Sequence, residues 1–461
     1  MSKRILLAAS LLWLAPIPAA FAQVPADSSI TAILRARVDA GWTPSIVVGV
    51  IRPDGSRRVY AYGDGGHGRA PTGESVFEIG SITKAFTGIL LAEMAARGEV
   101  RLDQPVATLL PPGTRVPERN GKAITLEDLS TQSSGLPRLA SNMPFADPAD
   151  PYADYSDSLL FAFLASYALT RDPGAQYEYS NLGVGLLGNA LARKAGKPYE
   201  TLIRERILAP LNMNETGITL TPALRARVAQ GHSAEGVPAG LWDLTSLAGA
   251  GALRSTANDM LVFLAANING VPGTLGNAIA TAREPRRPAG GPVLKIGLGW
   301  HILTKNGQSI VWHNGGTGGY RSFAGYDPDR KIGVVVLTNS ANDSDDIGFH
   351  LMNPANPLDS ARSAVPATVP ESVLQEYVGS YQLAPTFSIE ITREGSKLYG
   401  QATGQDRFQL FARNAQEFFL RVVEARIVFQ RDPAGKVTGM VLYQGGQEIP
   451  GDKTSPPTPS P

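Results

Sequence analysis

Apolar positions fall into distinct regimes along the chain. A largely apolar run, 5–14, follows Lys3 and Arg4. From 30 to 40 apolar residues recur at helical spacing, and 45–51 and 58–62 read as strands joined by a Pro53-Asp54-Gly55 turn. A helical block comes next. Its first helix opens at Ser81 and carries Ile82, Phe86, Ile89, Leu90 and Met94 on one face, which predicts a buried, rigid element. Residues 138–157, rich in Pro, Asp and Ala, read as a long loop able to overhang a site. Further helices are predicted over 158–169, 182–195, 199–208 and 256–268, the last capped by Thr256. Strand-like runs then dominate, at 297–304, 309–312, 320–326 and 332–339. This order predicts a mixed α/β (α+β) fold: an antiparallel sheet flanked by helices, with both ends of the unit meeting in one sheet.

The pattern changes after 361–370, which reads as a linker. Short alternating strands follow at 388–392, 397–401, 408–412, 417–420, 426–430 and 439–443. They predict a small antiparallel β-barrel over 371–450. The polar, proline-rich 451–461 reads as a disordered tail. The larger unit then spans 23–360, with 1–22 as a secretory signal peptide cleaved after Ala22. Its apolar run is too short to cross a bilayer, and Ala20-Phe21-Ala22 supplies the small-x-small site. The expectation is a periplasmic or secreted protein without a stable membrane anchor.

Composition removes several alternatives. There is no cysteine, so disulfides, thiolate nucleophiles, thiolate metal sites and a lipoprotein anchor are excluded. The chain has 42 basic and 41 acidic residues; losing Lys3 and Arg4 leaves 40 against 41, a net charge of −1. Near-neutrality argues against nucleic acid as a partner. The five histidines are scattered and none forms His-Glu-x-x-His, so no metal is expected. The glycine-rich 63–68 lacks the Lys-Ser/Thr ending of a phosphate cradle, and no Gly-x-Ser-x-Gly elbow occurs.

Three elements carry candidate chemistry. The first is Ser81 with Lys84. A serine alcohol needs a nearby base to attack at neutral pH. Residues three apart share a helix face, which puts Lys84 beside the Ser81 hydroxyl. The second is Tyr179-Ser180-Asn181, the one Tyr-x-Asn in the chain. A phenol beside a lysine ammonium can be depressed and act as a base, and the Asn181 amide can bond both the lysine and a substrate amide. Read alone, the segment is equally a tyrosine and a capping asparagine at a helix start. The third is His313-Asn314-Gly315-Gly316-Thr317-Gly318-Gly319-Tyr320, between strand-like runs. A glycine-rich strand edge allows close approach of a substrate backbone and supplies oxyanion-stabilising amides. Read alone, it is a glycine-rich hairpin with a satisfied histidine.

In the order Ser-x-x-Lys, Tyr-x-Asn, His-x-Gly, these elements closely resemble the class C β-lactamase and DD-peptidase superfamily of serine hydrolases. The segments 124–129, 133–137, 173–178 and 210–217 also look like family stretches, and the resemblance covers roughly 28 to 350. It implies a β-lactamase/transpeptidase-like fold, no cofactor, and a lipocalin-like appended barrel. It also implies an acyl-enzyme on Ser81, with Lys84 and Tyr179 sharing the proton traffic; which of them is the base is not readable from sequence. Asn181 would orient Lys84 and a substrate amide, and the amides of Ser81 and Gly316 would form the oxyanion hole. His313, Asn314 and Gly315 would line the substrate strand.

His313 and Asn314 stand where Lys-Thr is common in relatives, and Gln132 where many have histidine. Arg321 could meet a substrate carboxylate, or be a solvated strand residue. The expected activity is hydrolysis of a small-molecule or peptide substrate, D-Ala-D-Ala-type peptides or β-lactams. The alternatives are a carboxylesterase on the same fold, and a penicillin-binding sensor that deacylates poorly.

Overall fold

The computed structural model describes residues 24–358, 366–384, 387–420, 425–444 and 447–454. The expected signal segment 1–22 and residues 361–365 of the expected linker lie outside the described residues. The larger unit is built on an eight-stranded sheet. Its order is Arg57–Gly63, Ser45–Ile51, Ile332–Thr338, Arg321–Asp327, Gln308–Gly316, His301–Lys305, Leu294–Ile296, Arg287–Gly291. Neighbours are antiparallel throughout. Both ends of the unit do meet in this sheet, where Val47 pairs with Leu337.

Ser45–Ile51 is buried along its whole length. Side chains alternate across a strand, so Val47 and Ile51 enter one core while Ile46, Val48 and Val50 enter the other. Helices Thr83–Ala96 and Ala257–Asn269 pack into the first core, Asp27–Asp39 and Asp345–Met352 into the second. Two-sided burial explains the uninterrupted apolar run. Thr83–Ala96 is likewise enclosed on all sides from Thr83 to Met94, beyond the single face its spacing predicts.

The strand expected over 297–304 begins only at His301. The preceding residues instead cross the buried helix, where a Cβ on Gly88 would lie 2.0 Å from the Leu298 carbonyl oxygen. The two short strands at one end of the sheet, Leu294–Ile296 and the edge strand Arg287–Gly291, carry no apolar run long enough to announce them.

The C-terminal unit is a closed antiparallel barrel of eight strands. The alternation pattern found six and missed Gly379–Ala384 and Gln447–Thr454, which pair with each other through Ser380–Thr454 and Tyr381–Lys453. Residues 451–454, read as tail, therefore close the barrel. Residues 366–370, read as linker, also belong to it: the Ala367 amide donates to the Ala412 carbonyl at 2.8 Å, and Val369 is buried in its core. One aromatic cluster joins the units, with Trp42 buried against Phe411 and Phe419. Among the described residues, no helix is long and apolar enough to cross a membrane.

Candidate active site

Gly80–Ile82 form one 3-10 turn that runs into Thr83–Ala96, so Ser81 opens the helical stretch as predicted. Gly80 has φ +48°, and a Cβ there would lie 2.8 Å from the Gly316 amide nitrogen. A Cβ on Gly315 would be 2.0 Å from the Ile79 carbonyl oxygen. The Ser322 hydroxyl donates to that same carbonyl at 2.9 Å. The glycines thus let the Gln308–Gly316 strand press against the backbone before Ser81, which sets the Gly316 amide next to Gly80.

Lys84 is fully buried one turn beyond Ser81. Its Nζ lies 2.8 Å from Ser81 Oγ, 2.8 Å from Asn181 Oδ1 and 2.7 Å from the Ala250 carbonyl oxygen. None of these partners is a carboxylate. Burial, aided by the Arg138 charge, holds the Lys84 ammonium well below its ordinary pKa. A neutral amine has two hydrogens and one lone pair. The Asn181 and Ala250 oxygens can accept the two hydrogens, and the lone pair then faces the Ser81 hydroxyl. This arrangement can deprotonate Ser81.

The second motif divides its labour. Ser180, not Asn181, caps helix Asn181–Ala195, its Oγ accepting from the Gly183 amide at 2.8 Å. Asn181 is thereby free to reach Lys84 and to donate to the Tyr152 hydroxyl at 3.0 Å. Tyr152 comes from the 138–157 segment, which therefore reaches the site. The Tyr179 ring centroid is 4.8 Å from Lys84 Nζ. Desolvation pushes the Tyr179 phenol up to about 12, although the Ser81 side chain favours its charged form. The depression expected beside an ammonium is absent because the buried amine favours its neutral form, so Tyr179 stands as a proton donor at neutral pH.

Gln132 was read only as a departure at a family position. It is buried with φ +56°, its Oε1 accepts from the Ser180 amide at 2.7 Å, and its carbonyl accepts from the Glu178 amide at 2.7 Å. It fixes the backbone on both sides of Tyr179.

The third motif is split by strand alternation. His313 faces the site, its ring 6.3 Å from that of Tyr179. Its Nδ1 is 2.6 Å from the Asn314 carbonyl oxygen. A carbonyl only accepts, so Nδ1 carries the hydrogen and Nε2 is left as an acceptor. Asn314 points to the opposite face and donates to Asp345, so it does not join the predicted substrate-binding group. Arg321 is desolvated beside Gly316, its Nη1 3.5 Å from the Thr317 carbonyl oxygen, and the nearby Asp343 and Asp345 charges favour its charged form. Behind His313 stands His301, ring to ring at 5.0 Å, with its Nε2 2.9 Å from the Tyr177 hydroxyl. His301 carried no motif signal, and Tyr177 was read only as part of the family-like stretch 173–178; a loop and a strand bring the two together. Of the tryptophans, Trp300 is core, whereas the Trp242 ring meets that of Tyr152 at a tilt, centroids 5.4 Å apart.

The profile of the family described as Beta-lactamase matches residues 30–355, a span containing the sheet and all three motifs. The chain belongs to the beta-lactamase family. A second profile, described as a domain of unknown function (DUF3471), matches residues 363–453, the barrel. The D-alanyl-D-alanine-carboxypeptidase/endopeptidase AmpH of Escherichia coli (strain K12) is 30% identical over 304 residues, 62% of this chain and 78% of that protein. A beta-lactamase of the same organism is 28% identical over 317 residues, 61% and 79% of the two chains. The crystal structure of a beta-lactamase/D-alanine carboxypeptidase from Yersinia pestis, complexed with citrate, superposes with TM-score 0.59 at 26% identity, covering 68% of this chain and 94% of that one. A counterpart from Pseudomonas syringae shares the fold, with TM-score 0.60 at 21% identity and the same coverage. As a member of the beta-lactamase family, the protein is a serine hydrolase of the beta-lactamase/DD-carboxypeptidase type.

The buried imidazoles of this beta-lactamase family member make its stability pH-dependent. Burial lowers His301 to about 4 and His313 well below its ordinary value. The unfolded chain therefore takes up these protons first as pH falls. The stabilisation is complete above the unfolded value near about 6.5 and is lost down to the folded one, by up to about 3 kcal/mol for His301. His301→Gln should shrink the drop in Tm between about pH 7 and about pH 4.5. A drop equal to that of the unmodified protein would exclude His301 as a source.

Proposed function

We propose that the protein acts in the periplasm, after loss of residues 1–22, as an acyl-transferring hydrolase of D-Ala-D-Ala-type peptides or β-lactams. The observation that carries this reading is the contact set of Lys84 Nζ, which leaves one lone pair for Ser81. Ser81 attacks the substrate carbonyl as Lys84 takes its proton. The oxyanion is met by the amides of Ser81 and Gly316. Tyr179 gives a proton to the leaving nitrogen, which leaves its phenolate beside the Lys84 ammonium. Water then cleaves the acyl-enzyme by the reverse proton path. The partner is a small molecule or peptide, and no nucleic acid or cofactor takes part.

A carboxylesterase reading is favoured by one observation. His313 offers an acceptor and Asn314 is turned away, so the third motif makes no demand for an anionic substrate. Three substrates assayed side by side decide between them: nitrocefin, an acylated D-Ala-D-Ala peptide and a p-nitrophenyl ester. Release of D-alanine or opening of nitrocefin, with an acyl adduct on Ser81 by intact mass, is the expected result. Turnover of the ester alone would establish the carboxylesterase.

A further inference from the structure

An anionic substrate needs a cation, and the third motif supplies none. His313 presents a bare nitrogen, Asn314 donates to Asp345, and the Arg321 charge is offset by the nearby Asp343 and Asp345 charges. The loop between the first two motifs offers an alternative. Arg138 follows Leu136-Pro137 and is exposed. Its main-chain carbonyl accepts from the Leu182 amide at 3.2 Å, which ties the loop to the helix that Asn181 opens. Its guanidinium carbon lies 5.2 Å from the Tyr179 ring centroid, while Lys84 Nζ lies 4.8 Å from that centroid. Among the described residues, Arg138 has no acidic partner.

Position along the reaction path tells which part of the substrate this cation meets. The leaving group departs beside the residue that protonates it. In the reading above, that residue is Tyr179, so Arg138 stands on the leaving-group side. In an acyl-D-alanine substrate, the carboxylate is one carbon beyond the leaving nitrogen, within reach of a long side chain covering the Tyr179 ring. A guanidinium is also suited to bind a carboxylate through two parallel hydrogen bonds.

We propose that Arg138 is the specificity-determining anchor for a carboxylate on the leaving group, taking the part that a strand lysine would play at position 313. The proposal rests on Ser81 and Tyr179 acting as described, but not on the acyl donor being a peptide. The test therefore uses one acyl group on two aryl leaving groups, 3-acetoxybenzoate and its methyl ester. The readout is the ratio of kcat/KM for the anionic over the neutral ester. The unmodified enzyme should prefer the anionic ester, and Arg138→Ala should lower the ratio about tenfold or more, the scale of a hydrogen bond to a charged group. Arg138→Lys should retain part of the preference.

Fluorophosphonate labelling of Ser81 in each variant shows that the site is intact. No preference in the unmodified enzyme would overturn the proposal. So would an equal loss on both esters in Arg138→Ala, which would mean that Arg138 acts through Tyr179. A fall in the ratio on Arg321→Ala in place of Arg138→Ala would move the anchor to the neighbouring strand. The peptide assay stands apart: failure there with a preserved ester preference would reject the peptide substrate and leave the anchor standing.

Discussion

Ser81→Ala should abolish covalent labelling by a fluorescent penicillin or a fluorophosphonate, and should lower turnover by about 10⁴-fold or more, the scale seen when a nucleophile is removed from an activated catalytic unit. The loss follows from geometry. Ser81 Oγ is the atom that Lys84 Nζ bonds at 2.8 Å, and Ser81 is the side chain to which the Tyr179 phenol is coupled. Alanine fits the same backbone, because the tight contacts around this turn come from Gly80, Gly315 and Gly316 rather than from the serine side chain. The variant should therefore remain folded, with a Tm close to that of the unmodified protein. Full labelling of a folded Ser81→Ala protein would show that another residue is the nucleophile.

Removing the proton network should have the next largest effect. Lys84→Met and Tyr179→Phe should each lower kcat/KM by about 10²-fold or more, the usual scale of general acid–base catalysis. Together they should lose far less than the product of the two, because both serve the one bond exchange at Ser81 and act as a unit. Multiplicative losses would mean two independent roles. The pH profile gives a separate check. The reactive form of Lys84 is the neutral amine, and burial lowers its pKa. Activity should rise with pH through that lowered value. Tyr179 at about 12 donates its proton across the neutral range and adds a descending limb only in strong alkali. A descending limb near neutrality would show that Tyr179 works as a phenolate, with the two roles exchanged. Methionine at 84 keeps the volume but leaves the Asn181 and Ala250 oxygens without a donor, so Tm should be followed alongside the rates.

The residues that sequence reveals best here are those whose chemistry is set by local spacing. Ser81 and Lys84 are neighbours on a helix, and three residues suffice to place them. Asn181 was legible as a helix-start residue, but Ser180 proved to be the cap that releases it. His301, Tyr177 and Gln132 act across register or loop contacts, and no periodicity marks such a residue beforehand. The same distinction holds for the fold. Long buried strands announce themselves by apolar runs, whereas the two short strands at the end of the sheet do not. The end of the closing barrel strand, 451–454, is polar and opens a proline-rich stretch, so composition made it look like tail; its pairing with strand Val437–Gln444, Gly451 opposite Met440, reveals it.

The seam between Ser45–Ile51 and Ile332–Thr338 has a consequence for how the chain reaches this structure. Ile46 sits opposite Thr338, with the whole helical block in between. Contacts of such separation make folding slow, because the entropy of closing the loop precedes any gain from pairing. Until Ile332–Thr338 is made and delivered, the early hairpin holds out a seven-residue strand of almost wholly apolar residues with one edge unpaired. Such an edge invites pairing with another chain. The nascent protein is thus most exposed to aggregation while its N-terminal strands wait for a partner from the far end of the domain, and a chaperone that shields an extended apolar segment would act there.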